Sequence, residues 1–310
     1  MAVSAPAAPP PLTFISGGPG DLSCSPTVTY AVHVVHPGAL PGRLYRALAD
    51  ALPPGAAVSV LDVGCVPEYW QAALTGRQMD LTVVEIATQL RELSDQLNPS
   101  ELPLTLVGWS FGGVIAYEML LQSSGRRRPV RLVLLDSIAP VPGYQDADGE
   151  LSADLIFDWF GMYLGAKRDR ELAPVPIPAA AGLDERLGLL LAEAVRSGAL
   201  DAGTALAGLR KVWDVYTQGL VRNSRLSQGY QPEAVAHPAV LVRAERGLLQ
   251  VPEPLGWEQL IVNGLEVVTC PGNHYTMLTT PEAVSFLASI LTAPAGIGAA
   301  GSLANHHLPE

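Results

Sequence analysis

Leu104-Thr105-Leu106-Val107-Gly108-Trp109-Ser110-Phe111-Gly112-Gly113-Val114-Ile115-Ala116-Tyr117-Glu118-Met119 is the stretch whose reading decides the fold. It opens with the short apolar run Leu104 to Val107, the pattern of a buried strand. From Val114 to Gln122 the composition is helical, with few breakers. Between them stands Gly108-Trp109-Ser110-Phe111-Gly112, a G-x-S-x-G pentapeptide in a strand-to-helix context. That context is what a nucleophile elbow needs. The serine is held on a sharp, strained turn so that its hydroxyl projects, and the glycines stand where strand and helix pack too closely to admit a Cβ. The pentapeptide alone recurs by chance. The flanking strand and helix favour a nucleophile over a structural turn.

Outward from the elbow the pattern alternates. Upstream come a strand, Ala31 to Val35, a Gly/Pro loop, His36 to Gly42, and a helix, Arg43 to Ala51. Ala57 to Val63 is a second strand, and Met79 to Leu97 reads as a helix. Downstream, Val130 to Leu135 is another continuous apolar strand, closed by Asp136. Strands alternating with helices predict a mostly parallel α/β sheet with helices on both faces. From Ser137 to His237 no strand pattern occurs. Helical patterns fall at Leu155 to Leu164, Asp184 to Ser197 and Ala205 to Leu226, so 137–237 reads as a helical insertion, a lid over the strand ends. Strands resume at Ala239 to Ala244 and Leu265 to Cys270, and a helix follows from Pro281 to Leu291. One domain over 27–292 is expected. Met1 to Pro26, rich in Ala, Pro and Gly, reads as an unordered linker, and Ala293 to Glu310 as an unordered tail.

Composition narrows the function class. Hydrophobic residues make up 48% of the 310 and charged residues 16%, as in a globular enzyme. Acidic residues number 30 against 19 basic, a net charge of −11, which argues against nucleic-acid binding because no basic face would neutralise phosphates. Three separated cysteines, Cys24, Cys65 and Cys270, give no disulfide framework and fit a reduced cytoplasmic compartment. No apolar run reaches membrane-spanning length, and the N-terminus carries no secretion-signal pattern. The arginine-rich, Ala/Gly/Pro-rich composition reads as that of a GC-rich bacterial genome. No metal-ligand spacing and no dinucleotide or phosphate-binding fingerprint is present.

A serine nucleophile needs a base oriented by a carboxylate. Among the histidines, His274 lies in Pro271-Gly272-Asn273-His274-Tyr275-Thr276-Met277, between the last strand and the last helix. The chain order Ser, acid, His is that of the α/β-hydrolase fold. His36 reads as structural, bracing the loop it starts. Two carboxylates end strands, Asp136 and Glu245. Asp136 is favoured, because it follows an apolar strand where an unpaired carboxylate would be costly. The backbone N–H of Phe111 is the first expected oxyanion donor, and the first Gly-rich loop, at Ala39, the second.

With these residues in view, the chain resembles the chain-releasing thioesterase domains of non-ribosomal peptide and polyketide synthases. Leu106 to Met119 resembles their elbow, and Leu134-Leu135-Asp136-Ser137 the segment that carries their triad aspartate. Pro271 to Leu278 is similar to their histidine segment, with Asn273 where an Asp is commoner. His36-Pro37-Gly38-Ala39 is similar to their oxyanion loop, though its usual Gly pair is disturbed. The resemblance covers Val28 to Leu291. It implies a Ser110–Asp136–His274 triad, no cofactor, and an acyl chain carried on the phosphopantetheine of a carrier protein. Trp109 and the lid aromatics Trp159, Phe160, Tyr163, Trp213 and Tyr216 would then line the substrate chamber, although helical spacing alone reads the lid set as core packing. Met1 to Pro26 cannot form the apolar pairing helices of polyketide-type members, which implies a monomer, either stand-alone or an excised terminal domain. Alternatives from the residues are an editing thioesterase, a general carboxylesterase, and a non-catalytic hydrolase-fold binding protein.

Overall fold

The computed structural model describes residues 7–15, 28–38, 40–77, 79–124, 130–144, 153–168, 170–178, 180–251 and 254–292. Its sheet has seven strands: β1 (Leu12–Ile15), β2 (Tyr30–His36), β3 (Ala56–Asp62), β4 (Leu104–Trp109), β5 (Val130–Leu135), β6 (Ala239–Arg246) and β7 (Leu265–Asn273). Their spatial order is β1-β3-β2-β4-β5-β6-β7, with β1 antiparallel and the others parallel. Helices α1 (Arg46–Ala51), α2 (Pro67–Thr75), α3 (Val83–Leu97), α4 (Phe111–Gln122) and α8 (Pro281–Thr292) flank it. Helices α5 (Ala153–Ala166), α6 (Leu183–Arg196) and α7 (Leu206–Gln228) lie between β5 and β6 in the chain.

The continuous apolar strands follow from burial on both faces. Val32 and Val34 of β2 join one core, with Leu48 of α1 and Leu287 of α8. Ala31 and Val35 join the other, with Ile86 and Leu90 of α3 and Ile115 of α4. Successive residues point to opposite faces, so both must be apolar. Helix α4 is buried from Phe111 to Leu120, which explains why it has almost no polar face. Its one carboxylate, Glu118, is satisfied by the Tyr230 hydroxyl and by the Gln122 amide at 2.9 Å. Among the described residues no helix is long and apolar enough to cross a membrane.

Three local expectations need correction. Met1 to Pro26 is not wholly linker: Leu12–Ile15 pair with Ala57 to Val60, and the Thr13 and Ser59 hydroxyls meet at 3.1 Å. Four residues of β-forming type suffice for an edge strand, even in a Pro/Gly-rich setting. Met1 to Pro6, Ser16 to Pro26 and the tail from Ala293 lie outside the described residues. Helix α2 was not anticipated, although Pro67 in its first turn and the left-handed Gly76 after its last mark both ends. Helix α3 starts at Val83, not at Met79. Thr82 and Glu85 form a reciprocal capping box there, which sets the first turn.

The elbow rests on two close approaches. A Cβ at Gly108 would stand 2.4 Å from the Gly113 Cα, and one at Gly112 would stand 2.1 Å from the Val35 carbonyl oxygen. Gly112→Ala is therefore expected to lower unfolding free energy by about 2–3 kcal/mol or more, through displacement of α4. Urea denaturation checks this. Unchanged stability would mean that helix and strand are not in contact as described.

Candidate active site

Ser110 occupies the turn between β4 and α4 with φ 55° and ψ −130°, a backbone region sparsely populated by side-chain-bearing residues. The turn is held by Ser110 N–H donating to the Leu135 carbonyl at 3.0 Å and Gly113 N–H donating to the Ser110 carbonyl at 2.9 Å. Phe111 is the first residue of α4, where backbone N–H groups have no intrahelical acceptor. The second expected oxyanion donor, Ala39, lies outside the described residues.

Asp136 follows the neighbouring strand β5, also at positive φ (43°), and is buried. Its Oδ1 accepts the Ala244 N–H at 3.1 Å. Its Oδ2 accepts the Leu248 N–H at 3.4 Å and the His274 Nδ1–H at 2.7 Å. Gly247 makes room for this carboxylate, since a Cβ there would lie 2.6 Å from Oδ1. Glu245, the other strand-end carboxylate, is exposed. The buried acid beside His274 is Asp136.

His274 is itself buried, with Trp109 stacked on it at 5.0 Å and Tyr275 edge-on at 4.9 Å. With Nδ1–H given to Asp136, Nε2 is left as the ring's acceptor, the form a general base needs. The turn carrying it is capped by Asn273, whose side-chain oxygen accepts from Tyr275 N–H at 3.0 Å and Thr276 N–H at 2.9 Å. An Asp would make the same bonds.

His36 is wholly buried. Its Nε2–H donates to the Leu40 carbonyl at 2.5 Å and its Nδ1 accepts from the Tyr45 hydroxyl at 3.1 Å. The ring ties its own strand end to Leu40, as expected of a brace, and stacks on Trp109 at 5.3 Å. Burial pushes its pKa below the ordinary histidine value, against the opposing pull of Asp62.

Two cavities meet at the serine. One, of 300 Å³, is bordered by Ser110 and His274 and walled by Tyr163, Tyr216 and Tyr275. The other, of 330 Å³, is bordered by Ser110 and Asp136 and walled by Val114, Ile138, Trp159 and Leu249. Leu220, Asn223 and Leu248 line both. A larger cavity of 760 Å³, between α3, α4 and the chain after α7, is bordered by none of Ser110, Asp136 and His274.

The six aromatics expected to line the chamber divide. Tyr163 and Tyr216 line the His274 side and Trp159 the other. Trp109 borders the first cavity but is 0% exposed, stacked with two imidazoles and with its indole N–H on the His274 carbonyl at 3.0 Å. Phe160 is fully buried, and Trp213 packs against it and Phe157; neither lines either cavity. Those two are lid core, because α5 and α7 need an interface of their own. The lid is also tied to the loops of the site. Trp159 donates to the Leu248 carbonyl at 2.9 Å, and the Tyr216 and Tyr275 hydroxyls meet at 2.8 Å.

Asp62, Tyr69, Trp70 and Arg222 also line the His274-side cavity, and the sequence reading did not single them out. The Pro67 to Gly76 punctuation was the available signal for Tyr69 and Trp70. Pro9, from the stretch read as linker, lines the same cavity. Among the described residues no group of His, Cys, Asp or Glu could hold a metal ion.

The thioesterase domain family matches residues 31–292. The four-domain non-ribosomal peptide synthetase holo-AB3403, bound to AMP and glycine, superposes with a TM-score of 0.61 at 24% identity over 92% of this chain, which spans only 20% of that one. The NocB thioesterase domain, in covalent complex with a fluorophosphonate nocardicin G analogue, gives 0.54 at 23% identity, covering 91% of this chain and 98% of that one. The RedJ thioesterase of the prodiginine pathway in Streptomyces coelicolor gives 0.54 at 18% identity, covering 89% of each. These likenesses establish the α/β-hydrolase fold. Curated protein sequences yield no match.

Two expectations follow. Gly247→Ala pushes the Asp136 carboxylate off His274 and is expected to reduce serine reactivity toward an acylating probe by roughly 10-fold or more, with the fold retained by circular dichroism. Native reactivity in that variant contradicts the placement of Asp136. For His36, the unfolded chain takes up a proton from about pH 6.5 downward while the folded chain does not. Stability is therefore expected to fall as pH drops below about 6.5, at no more than ~1.4 kcal/mol per pH unit from this group, and His36→Gln should flatten that slope in urea titrations.

Proposed function

Because this chain belongs to the thioesterase domain family, we propose that it releases an acyl chain from the phosphopantetheine thioester of a carrier protein through an ester on Ser110. The observation that carries the reading is the buried Asp136–His274 hydrogen bond, set beside a serine at which two cavities meet.

The chemistry follows from the groups in place. His274 Nε2 takes the Ser110 proton as the oxygen attacks the thioester carbonyl, and Asp136 stabilises the imidazolium. The oxyanion is received by the Phe111 N–H at the start of α4 and by a second N–H from the loop that His36 closes, assigned to Ala39. The departing thiol takes its proton from His274. It therefore leaves on the His274 side, into the cavity walled by Tyr163 and Tyr216. The acyl group lies on the other side, against Val114, Ile138, Trp159 and Leu249, which suit an apolar or peptide chain. Water, or an amine or hydroxyl of the chain itself, then attacks the Ser110 ester with His274 again as base, giving an acid or a ring. Metal or redox help is not required by this sequence of steps.

A fluorophosphonate is expected to add its mass to Ser110 in intact-protein and peptide mass spectrometry. Ser110→Ala should lose all turnover of an acyl-N-acetylcysteamine thioester, and Asp136→Asn should lower kcat by up to roughly 10⁴-fold. Glu245→Gln should stay near the native rate. Labelling at another serine, or a large loss in Glu245→Gln with a normal Asp136→Asn, would overturn the assignment.

A further inference from the structure

A groove of 650 Å³ runs between the α2–α3 connection and α7, and three arginines line it: Arg77, Arg222 and Arg225. No carboxylate lines it, and among the described residues none of the three is in an ion pair. Elsewhere Arg46, Arg91, Arg186, Arg196, Arg210 and Arg246 each reach an Asp or Glu. In a chain of net charge −11, a groove lined by three guanidinium groups and no carboxylate is a basic strip on an acidic molecule.

On α7 the groove residues Gln218, Val221, Arg222 and Arg225 are spaced i, i+3, i+4, i+7, which sets them on one stripe. The stripe is apolar as well as basic. Val221 is 46% exposed, and Met79 and Leu81 face it from the α2–α3 connection. Two of its members, Gln218 and Arg222, also line the cavity of Ser110 and His274. Arg222 stands at the junction, its guanidinium 4.8 Å over the Tyr69 ring. The groove therefore adjoins the cavity on the side where the thiol departs. The depressions that share residues with it carry carboxylates at both ends, Glu68, Asp80 and Glu85 on the Arg77 side and Glu118 and Glu233 on the Arg225 side, so an anionic occupant is confined to the groove itself.

We propose that this groove docks the carrier protein itself, through a helix on the carrier that presents carboxylates flanked by apolar side chains. The inference rests on the thioesterase reading, which places a carrier-borne thiol on the His274 side. Charge complementarity and the shared lining with the Ser110 cavity then place the body of the carrier over α7. The groove is distinct from the acyl-holding cavity, so it acts on KM for the macromolecular substrate and not on the chemistry.

The test compares one acyl chain on three thiols. Hexanoyl is loaded on a peptidyl carrier domain, on coenzyme A and on N-acetylcysteamine. The double variant Arg77→Glu/Arg225→Glu, both residues away from the lining at Ser110, is assayed against the native chain. The expected result is a fall of roughly tenfold or more in kcat/KM for the carrier-borne chain, through KM, that shrinks as salt is raised. The other two thioesters should change by less than about twofold. An unchanged rate on the carrier overturns the docking surface. An equal loss on coenzyme A also overturns it, by assigning the arginines to the phosphate. A loss shared by the N-acetylcysteamine thioester overturns it too, because the groove would then act on the site and not on the partner. A native chain that cleaves none of the three would instead refute the thioesterase reading. Cleavage of all three with no effect of the variant refutes only the docking.

Discussion

The carbonyl oxygen of Val35 stands where a side chain at position 112 would have to be, and much of the molecule depends on that contact. It lets α4 lie against β2 and β4 closely enough for Ser110 to be driven to positive φ. Gly108 and Gly113 extend the approach. A Cβ on Gly113 would reach the Ser137 hydroxyl at 2.2 Å, so the elbow also presses on the residue that follows Asp136. The backbone strain at Ser110, of order 1–3 kcal/mol, persists because a helix buried on every side holds it.

The Asp136–His274 hydrogen bond is the second constraint, and it is built across a strand. Asp136 follows β5 and His274 follows β7, with β6 between them. Strand β6 supplies the backbone that bridges the gap: Val242 accepts from Asp136 N–H at 2.7 Å, and Ala244 donates to its carboxylate. The Asp136 carboxylate thus sits in a cradle of amides with room guaranteed by Gly247, while His274 packs with Trp109 and Tyr275 in one aromatic cluster. Trp109 stacks with both His36 and His274, so the end of β2 and the turn after β7 meet at one indole.

How much of this was legible in the residues follows from the range of each signal. The elbow and the parallel sheet were readable, because fully buried strands write apolar runs and the G-x-S-x-G spacing lies within five consecutive residues. The placement of Asp136 beside His274 agrees with the reading that a carboxylate after an apolar strand needs a partner. Helix α2 was missed because its buried side chains are few, Tyr69 and Ala72, and its ends are marked only by Pro67 and Gly76. Strand β1 was missed because four residues carry too little periodicity against a Pro-rich background. The division of the lid aromatics was not legible at all. Phe160 and Tyr163 sit three apart on one helix, yet one is core and the other cavity wall, and only the partner helix decides which.

The lid's anchors have an evolutionary consequence. Helix α5 holds the loop beside Asp136 through Trp159, and α7 holds the residue beside His274 through Tyr216 and the cavity floor through Asn223, which accepts the Tyr69 hydroxyl at 2.7 Å. Drift at those positions moves the loops beside Asp136 and His274 along with the helices. Helix α6, whose buried face of Leu187, Leu190 and Ala194 packs against α5 and α7, carries none of these bonds, nor does the Leu172 to Pro178 connection before it. Variation there can change how α5 and α7 are backed while Ser110, Asp136 and His274 stay still. On the proposed thioesterase reading, one frame is in this way open to a succession of different cargoes.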